Sequence, residues 1–364
     1  MDNIYYANQE EKQNTKKMYE NIFNEDSAKF IEYYYKWKTK DNAILIMKNE
    51  IHELEVMIHL NPYLINFCHT VAKVSYLVAV ATYPKYRRQG KMNRMMKQVL
   101  HDLYEKKEPF TFLLPAEEAY YKGQGFVYAG KNEAVQNMMG KKCTEYENKS
   151  EWEQGSRVRS SDADSDNNVS ENGYSCEKIR AKDISVLTKI TNEVLNTAAD
   201  ITIQRDGTYY ERLLEETTSE QGGVLKISKD GILIGTIAYG ATGLEQVEVK
   251  EIIVKEPYQK DKNEILQIAF PTAQVIMEEM KIMIRITNLY VFCRLLRKKE
   301  PYRKKITVVD SLVEENNGSF EIKIDKMNGT ICKIEANQTE ETMEISKLTQ
   351  ELLNDTTYFL REWV

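Results

Sequence analysis

The stretch Val78-Ala79-Val80-Ala81-Thr82-Tyr83-Pro84-Lys85-Tyr86-Arg87-Arg88-Gln89-Gly90-Lys91-Met92-Asn93-Arg94-Met95-Met96 decides how the chain is read. Its first residues are a short β-rich run, and Pro84, which has no N–H to give, ends the strand. After Gly90 comes a basic segment with apolar residues at Met95, Val99 and Leu103, the spacing of an amphipathic helix. The order is therefore strand, tight turn, helix. Such a turn leaves backbone N–H groups at the helix start without intrahelical partners, and the helix dipole there favours an anion. Arg87, Arg88 and Lys91 add mobile positive charge, and Gly90 lets the main chain approach what the turn holds. The pattern describes a cradle for a pyrophosphate.

Arg87-Arg88-Gln89-Gly90-Lys91-Met92 resembles the acyl-CoA signature of the GNAT acetyltransferases: Arg or Gln, two free positions, Gly, one free position, Gly or Ala. Met92 departs from it, which shifts the close approach to Gly90 and the helix end. A second β-rich run, Phe110-Thr111-Phe112-Leu113-Leu114-Pro115, follows, and then Tyr120-Tyr121-Lys122-Gly123-Gln124-Gly125-Phe126. In the superfamily, strands in these two places splay apart around the pantetheine arm and the thioester.

The chain has 364 residues, too many for one ordinary core, and two or three domains are expected. Apolar residues make up 42% and charged residues 29%, a globular balance, and the net charge of -6 argues against a general nucleic-acid binder. Five scattered cysteines without a CxxC pair suggest neither a disulfide framework nor a zinc site. His52, His59, His69 and His101 form no obvious metal pair, so no metal is expected. The start of the chain lacks a basic segment before an apolar core, and no apolar run approaches a bilayer span, so a cytoplasmic protein is expected.

Taken in order, residues 14–38 read as two short helices around Asn24-Glu25-Asp26-Ser27, and Tyr33-Tyr34-Tyr35 packs rings on a sheet. Strands are expected at 43–48, 53–60 and 75–82, with Asn61-Pro62 as a turn, and a last strand of this unit at 127–132. Residues 151–175 are dominated by Ser, Asp, Asn, Glu and Gly and read as a polar linker. A second unit then repeats the order of elements: helices at 179–193 and 208–217, strands at 223–228, 232–241 and 247–254. Its turn, Val254-Lys255-Glu256-Pro257-Tyr258-Gln259-Lys260-Asp261-Lys262-Asn263, has no glycine and carries Glu256 and Asp261, which would oppose a phosphate. A last unit opens with a strand at 283–289 and ends in Tyr358-Phe359-Leu360-Arg361-Glu362-Trp363-Val364, an apolar tail that reads as docked.

Over nearly its whole length the chain resembles the enhanced intracellular survival (Eis) type of GNAT protein. The supporting segments are Leu60-Asn61-Pro62-Tyr63, the turn, residues 117–126, 283–289 and 310–324, and the apolar tail. The resemblance implies an α+β fold of tandem GNAT-like mixed-sheet domains followed by a sterol carrier protein-like α/β domain. It places a catalytic domain at 1–148, a linker at 149–175, a degenerate GNAT-like domain at 176–281 and the last domain at 282–364. It also implies a hexamer, acetyl-CoA as co-substrate and a small-molecule primary amine as acceptor, an aminoglycoside, polyamine or lysine-type compound. Carried over by position, the main chain of Val80, Ala81 and Thr82 pairs with pantetheine, and a main-chain N–H near Val80 holds the oxyanion. The turn from Arg87 through Arg88, Gln89, Gly90, Lys91 and Met92 to Asn93 takes the pyrophosphate, and Ala116 and Glu117 close over the cofactor. Tyr121 falls at the general acid, and the α-carboxylate of Val364 reaches back as the base that accepts the amine's proton. Glu362 or a water is the alternative base, and Tyr120 the alternative phenol. The competing class is a non-catalytic acetyl-CoA-binding or apolar-ligand-binding scaffold.

Overall fold

The computed structural model describes residues 3–130, 170–241, 246–277 and 280–362. In chain order its elements are β1 (Asn3–Tyr6), α1 (Gln9–Asn14), α2 (Lys16–Ile22), α3 (Ala28–Trp37), β2 (Ala43–Lys48), β3 (Leu54–Phe67), β4 (Thr70–Thr82), α4 (Lys91–Glu105), β5 (Phe110–Leu113) and α5 (Ala119–Lys122). Then come β6 (Tyr174–Lys178), α6 (Ile184–Ala198), β7 (Ile201–Ile203), α7 (Gly207–Ser219), β8 (Gly223–Lys229), β9 (Ile232–Ala241), β10 (Gln246–Val254), α8 (Lys262–Ala269) and β11 (Gln274–Ile276). The remainder is β12 (Met283–Ile286), α9 (Leu289–Leu295), β13 (Tyr302–Val309), β14 (Gly318–Ile324), β15 (Gly329–Lys333), β16 (Glu341–Glu344), α10 (Ile345–Leu353) and β17 (Tyr358–Phe359). The chain divides into two compact units: Met1–Ala134, Leu195–Gln204 and Glu279–Val364 form the first, and Val135–Val194 with Arg205–Glu278 form the second.

In the first unit a mixed sheet runs β1-β2-β3-β4-β5-β12, with β7 beside the far end of β3 and β17 beside β7. β1 to β4 are antiparallel, β4 and β5 are parallel, and β12 returns antiparallel to β5. Successive side chains of a strand face opposite ways, and β2 shows it. Leu45 and Met47 join the core under α4, while Ile44 and Ile46 join the core under α1 to α3. On α4, Met95, Met96, Val99, Leu100 and Leu103 form the buried face. Ser27 caps α3 by accepting from the Phe30 amide at 3.1 Å, as the Asn24–Ser27 break implied. A second sheet of this unit, β15-β14-β13-β16, lies in the C-terminal segment.

Two expectations are corrected. Asn61-Pro62 is not a turn, because β3 runs through it to Phe67. Proline is tolerated there because β2 pairs with β3 only as far as Leu60 and β7 begins at Ile65, so no ladder on that edge needs the missing N–H. Of the strand expected at 127–132, the described residues 127–130 form a single bridge, Val127 with Ile284. The position beside β5 is taken by β12, which the sequence reading assigned to the opening of the last unit. Residues 131 and 132 lie outside the described ones, as does most of the expected linker; β6 opens at Tyr174.

The second unit has the sheet β11-β10-β9-β8-β6. β6, β8, β9 and β10 are mutually antiparallel in that order and β11 is parallel to β10, the same sequence of senses as β1 to β5. β10 also carries a bulge, with Lys250 as the extra residue between Val249 and Glu251. Its core is a two-layer packing of Ile227, Ile237, Val249 and Ile252 against α8 residues Ile265 and Leu266. A bidentate ion pair, Arg205 to Glu251 at 2.5 and 2.6 Å, is buried in the same unit.

Candidate active site

β4 and β5 pair in parallel at Tyr76 and Phe112, and their rings stack with centroids 4.8 Å apart. Beyond that pair β4 carries a bulge. Met57 of β3 faces Ala81 and His59 faces Val78, so Ala79 and Val80 together oppose Ile58, and Ala79 takes φ 50. An extra residue bends a strand and increases its twist. Val80 packs toward the α4 side while Ala81 is buried on the α3 side. Ala81 and Thr82 pair with β3 on one edge only, and the edge toward β5 has no strand partner among the described residues. The result is a fork whose inner edge offers main-chain donors and acceptors to a ligand. The Thr82 carbonyl also accepts from Arg87 Nε at 3.1 Å.

The turn below the fork begins with a short 3-10 segment, Pro84–Tyr86. Arg88 and Gly90 then take left-handed conformations, φ 60 and 71, around Gln89. Successive amides in such a turn form a concave anion site. α4 starts at Gly90 with no side-chain cap, so the amides of its first turn are not occupied by a capping oxygen. A Cβ on Gly90 would meet nothing within 4 Å, so glycine is needed there for its backbone angle and for ligand approach, not for packing. Arg87 and Arg88 are exposed. Lys91 differs from the mobile cation expected, because its ammonium is held by Glu55 at 2.5 Å and both side chains are largely buried. Met92, the residue that departs from the signature, packs against the core under α4. Asn93 accepts from Gln124 Nε2 at 3.0 Å and thereby ties the turn to the loop after α5.

Ala116 and Glu117 are exposed on the segment leading into α5. Tyr121 is buried in the α4-side core with its ring 6.0 Å from Phe126, whereas Tyr120 is 69% exposed. Burial, and next the neighbouring Tyr120, push the Tyr121 phenol up to about 12, so it keeps its proton at neutral pH. The loop behind it is fixed from β12. Arg285 donates from Nε to the Gln124 carbonyl at 2.7 Å and pairs with Asp310 at 2.6 Å, both side chains being 1% exposed. Gly125, at φ 81, leaves room for that guanidinium, since a Cβ there would sit 3.0 Å from Arg285 Nε.

On the α3 side of the sheet, cross-strand pairing places His59, Asn61 and Tyr63 on one face with Val78, Tyr76 and Val74. His59 is fully buried, with Nδ1 2.9 Å from the Tyr34 hydroxyl. Burial, and secondarily the Lys12 charge, lower it to about 3, so it is neutral. Tyr34 and Asn42 donate to Asn61 Oδ1 at 3.3 and 3.2 Å. His59 Nε2, Asn61 Nδ2 and Asn42 Oδ1 are buried without a partner among the described residues, so this face keeps unused polar capacity.

The tail is docked as its composition suggested. β17 pairs with β7, and Phe359, Leu360, Arg361 and Glu362 are buried. Val364, the expected base, lies outside the described residues, as does Trp363. The sequence reading saw no metal pair, yet the fold brings His101 within reach of Glu105 and Glu315, an exposed group with ligand atoms within 4.8 Å of one another. Surface carboxylates form such groups without an ion.

Residues 3–129 match the family model described as an acetyltransferase (GNAT) domain. The chain thus contains a GNAT acetyltransferase domain, and the fork, the turn and Tyr121 all fall within it. No curated protein sequence matches the chain. Among solved structures, a probable N-acyltransferase from Enterococcus faecalis is similar, with a TM-score of 0.72 and 16% identity, covering 96% of this chain and 89% of that one. A GCN5-related N-acetyltransferase from Kribbella flavida has a TM-score of 0.70 and 10% identity with all of both chains covered. Eis1 from Mycobacterium abscessus has a TM-score of 0.66 and 10% identity over 97% of this chain and 89% of that one. At these identities the likeness is one of fold, and it covers 96% to 100% of this chain. No helix among the described residues is long and apolar enough to cross a membrane.

Proposed function

We propose that the protein transfers an acetyl group from acetyl-CoA to a primary amine within a ternary complex. The observation that carries this reading is the fork: β4 leaves β5 after Tyr76 through the bulge at Ala79 and runs into the uncapped start of α4. In this account the inner edge at Val80, Ala81 and Thr82 holds the pantetheine arm. The amides after Gly90, with Arg88, take the pyrophosphate, and Ala116 and Glu117 lie over the cofactor. A neutral amine attacks the thioester carbonyl, a main-chain N–H near Val80 stabilises the oxyanion, the proton shed by the attacking nitrogen passes to the base proposed for it, the α-carboxylate of Val364, and Tyr121 gives its own proton to the departing thiolate as the C–S bond breaks. The acceptor enters from the face of Asn61 and Tyr63.

The second unit is read as a copy that has lost the cofactor. It repeats the strand senses and the bulge, but Asp261 stands at the start of α8 and accepts from the Tyr174 hydroxyl at 2.6 Å where a phosphate would have to sit. The four-stranded sheet of the C-terminal segment is assigned to a sterol carrier protein-like module, and the assembly to a homo-oligomer in the cytoplasm. Incubation with acetyl-CoA and polyamines, lysine peptides or aminoglycosides, followed by mass spectrometry, tests the reading. An acetylated amine is expected; tight CoA binding with no product from any amine supports a binding scaffold instead.

A further inference from the structure

Lys38, Tyr63 and Glu362 form a buried network that the sequence reading did not anticipate. The Tyr63 hydroxyl donates to Glu362 Oε2 at 2.5 Å, and Lys38 Nζ donates to the same hydroxyl at 2.9 Å. The ammonium and the carboxylate are 3.8 Å apart, with only 6% and 7% of the two side chains exposed. These groups come from three places: the end of α3, the middle of β3 and the tail after β17.

The position is set by the sheet. β2 covers β3 as far as Leu60 and β7 covers it from Ile65, which leaves residues 61–64 without a strand on that edge among the described residues. β17 pairs with β7, so the residues that follow it are delivered toward this gap. Tyr63 then leads back to the fork: its ring lies 6.4 Å from Tyr76, which stacks on Phe112 where β4 and β5 part. One ring thus separates the network from the pair at which β4 and β5 part.

We propose that Tyr63 and Lys38 are positioning residues that seat the C-terminal segment beside the fork, so that the acceptor side of the site is complete only while Glu362 is held. This rests on the acetyltransferase reading for its functional half, whereas the seating of the tail stands apart from it. The physical case is the burial of two opposite charges. Neither is stable there alone, and a phenol hydroxyl bonded to both fixes their separation and direction. Tyr63 is also the member that can lose its polar atom without leaving an unpaired charge.

Tyr63→Phe is therefore the variant of choice, with Glu362→Gln as the second. Two readouts are taken on the full chain: hydrogen exchange of the peptide containing residues 358–362, and KM for the amine and for acetyl-CoA measured separately. Tyr63→Phe is expected to speed exchange of the tail peptide at least tenfold while the β2 peptide is unchanged. It should raise the amine KM at least fivefold with the acetyl-CoA KM within twofold of wild type. The double variant should be no worse than Glu362→Gln alone, because both remove the same contact. Wild-type exchange of the tail in Tyr63→Phe, or equal increases in both KM values, overturns the proposal. If the tail is released but the wild-type protein acetylates no amine, the seat stands and the acetyltransferase reading is what fails.

Discussion

Arg285 and Gln124 lie far apart in sequence, yet the Arg285 guanidinium donates to the Gln124 carbonyl at 2.7 Å and so holds the turn that follows Tyr121. The guanidinium is fully buried and its charge is met by Asp310, whose carboxylate also accepts from the amides of Leu312 and Val313 and from Asn316. Removing one partner of such a pair strands the other. Arg285→Met is expected to lower unfolding free energy by about 3–5 kcal/mol. Urea denaturation of Arg285→Met beside Arg285→Met/Asp310→Asn checks this: the double variant should recover part of the loss, and equal stabilities would contradict the pairing.

Arg88→Ala should weaken acetyl-CoA binding by about 1–3 kcal/mol, the value of a charged phosphate contact. Gly90→Glu should weaken it at least as much, through repulsion and the blocked approach; its side chain meets open space, and the left-handed φ of 71 adds a backbone strain of about 1–2 kcal/mol, which a thermal melt reads separately from binding. Calorimetry reads both. Unchanged affinity in the two variants would place the cofactor elsewhere.

One cofactor should bind per chain. In the second unit the turn lacks glycine, and Asp261 presents a carboxylate at the helix start. A calorimetric stoichiometry of two would refute the lost-copy reading.

His59 gives a pH dependence with a definite sign. Its folded-state value is about 3 against an ordinary 6.5, so the unfolded chain binds a proton that the folded one refuses. The stability it contributes is present above about pH 6.5 and is lost as pH falls toward 3, with a slope approaching about 1.4 kcal/mol per pH unit. His59→Gln should flatten that slope in denaturation curves taken between pH 6 and 4. An identical slope would mean that His59 is protonated in the folded protein.

Much of the site was legible because it is local. Strand, Pro84, the Arg-Arg-Gln-Gly turn and α4 occupy one continuous stretch, and their chemistry depends on spacing alone. The repeat of elements in the second unit was readable for the same reason. What was hidden depends on pairing between distant segments. Pro62 looked like a turn because nothing in the sequence tells where β2 stops beside β3. Residues 127–132 looked like a strand because β12, which takes that place, lies far along the chain. Lys91 looked mobile because Glu55 meets it only across the sheet. Tyr63, Lys38 and Glu362 are ordinary residues in their own neighbourhoods, and only the docking of the tail makes them a network.

The central claim is that the fork in β4, the turn after it and Tyr121 together transfer an acyl group to an amine. The most direct measurement is the steady-state release of CoA thiol from acetyl-CoA, with an acceptor amine present, by the wild type and Tyr121→Phe in parallel. Loss of a general acid typically costs 10²- to 10⁴-fold. Amine-dependent thiol release by the wild type is expected, with kcat reduced about 100-fold in Tyr121→Phe and acetyl-CoA affinity unchanged. Thiol release that does not depend on amine, or that is equal in the two proteins, would contradict it.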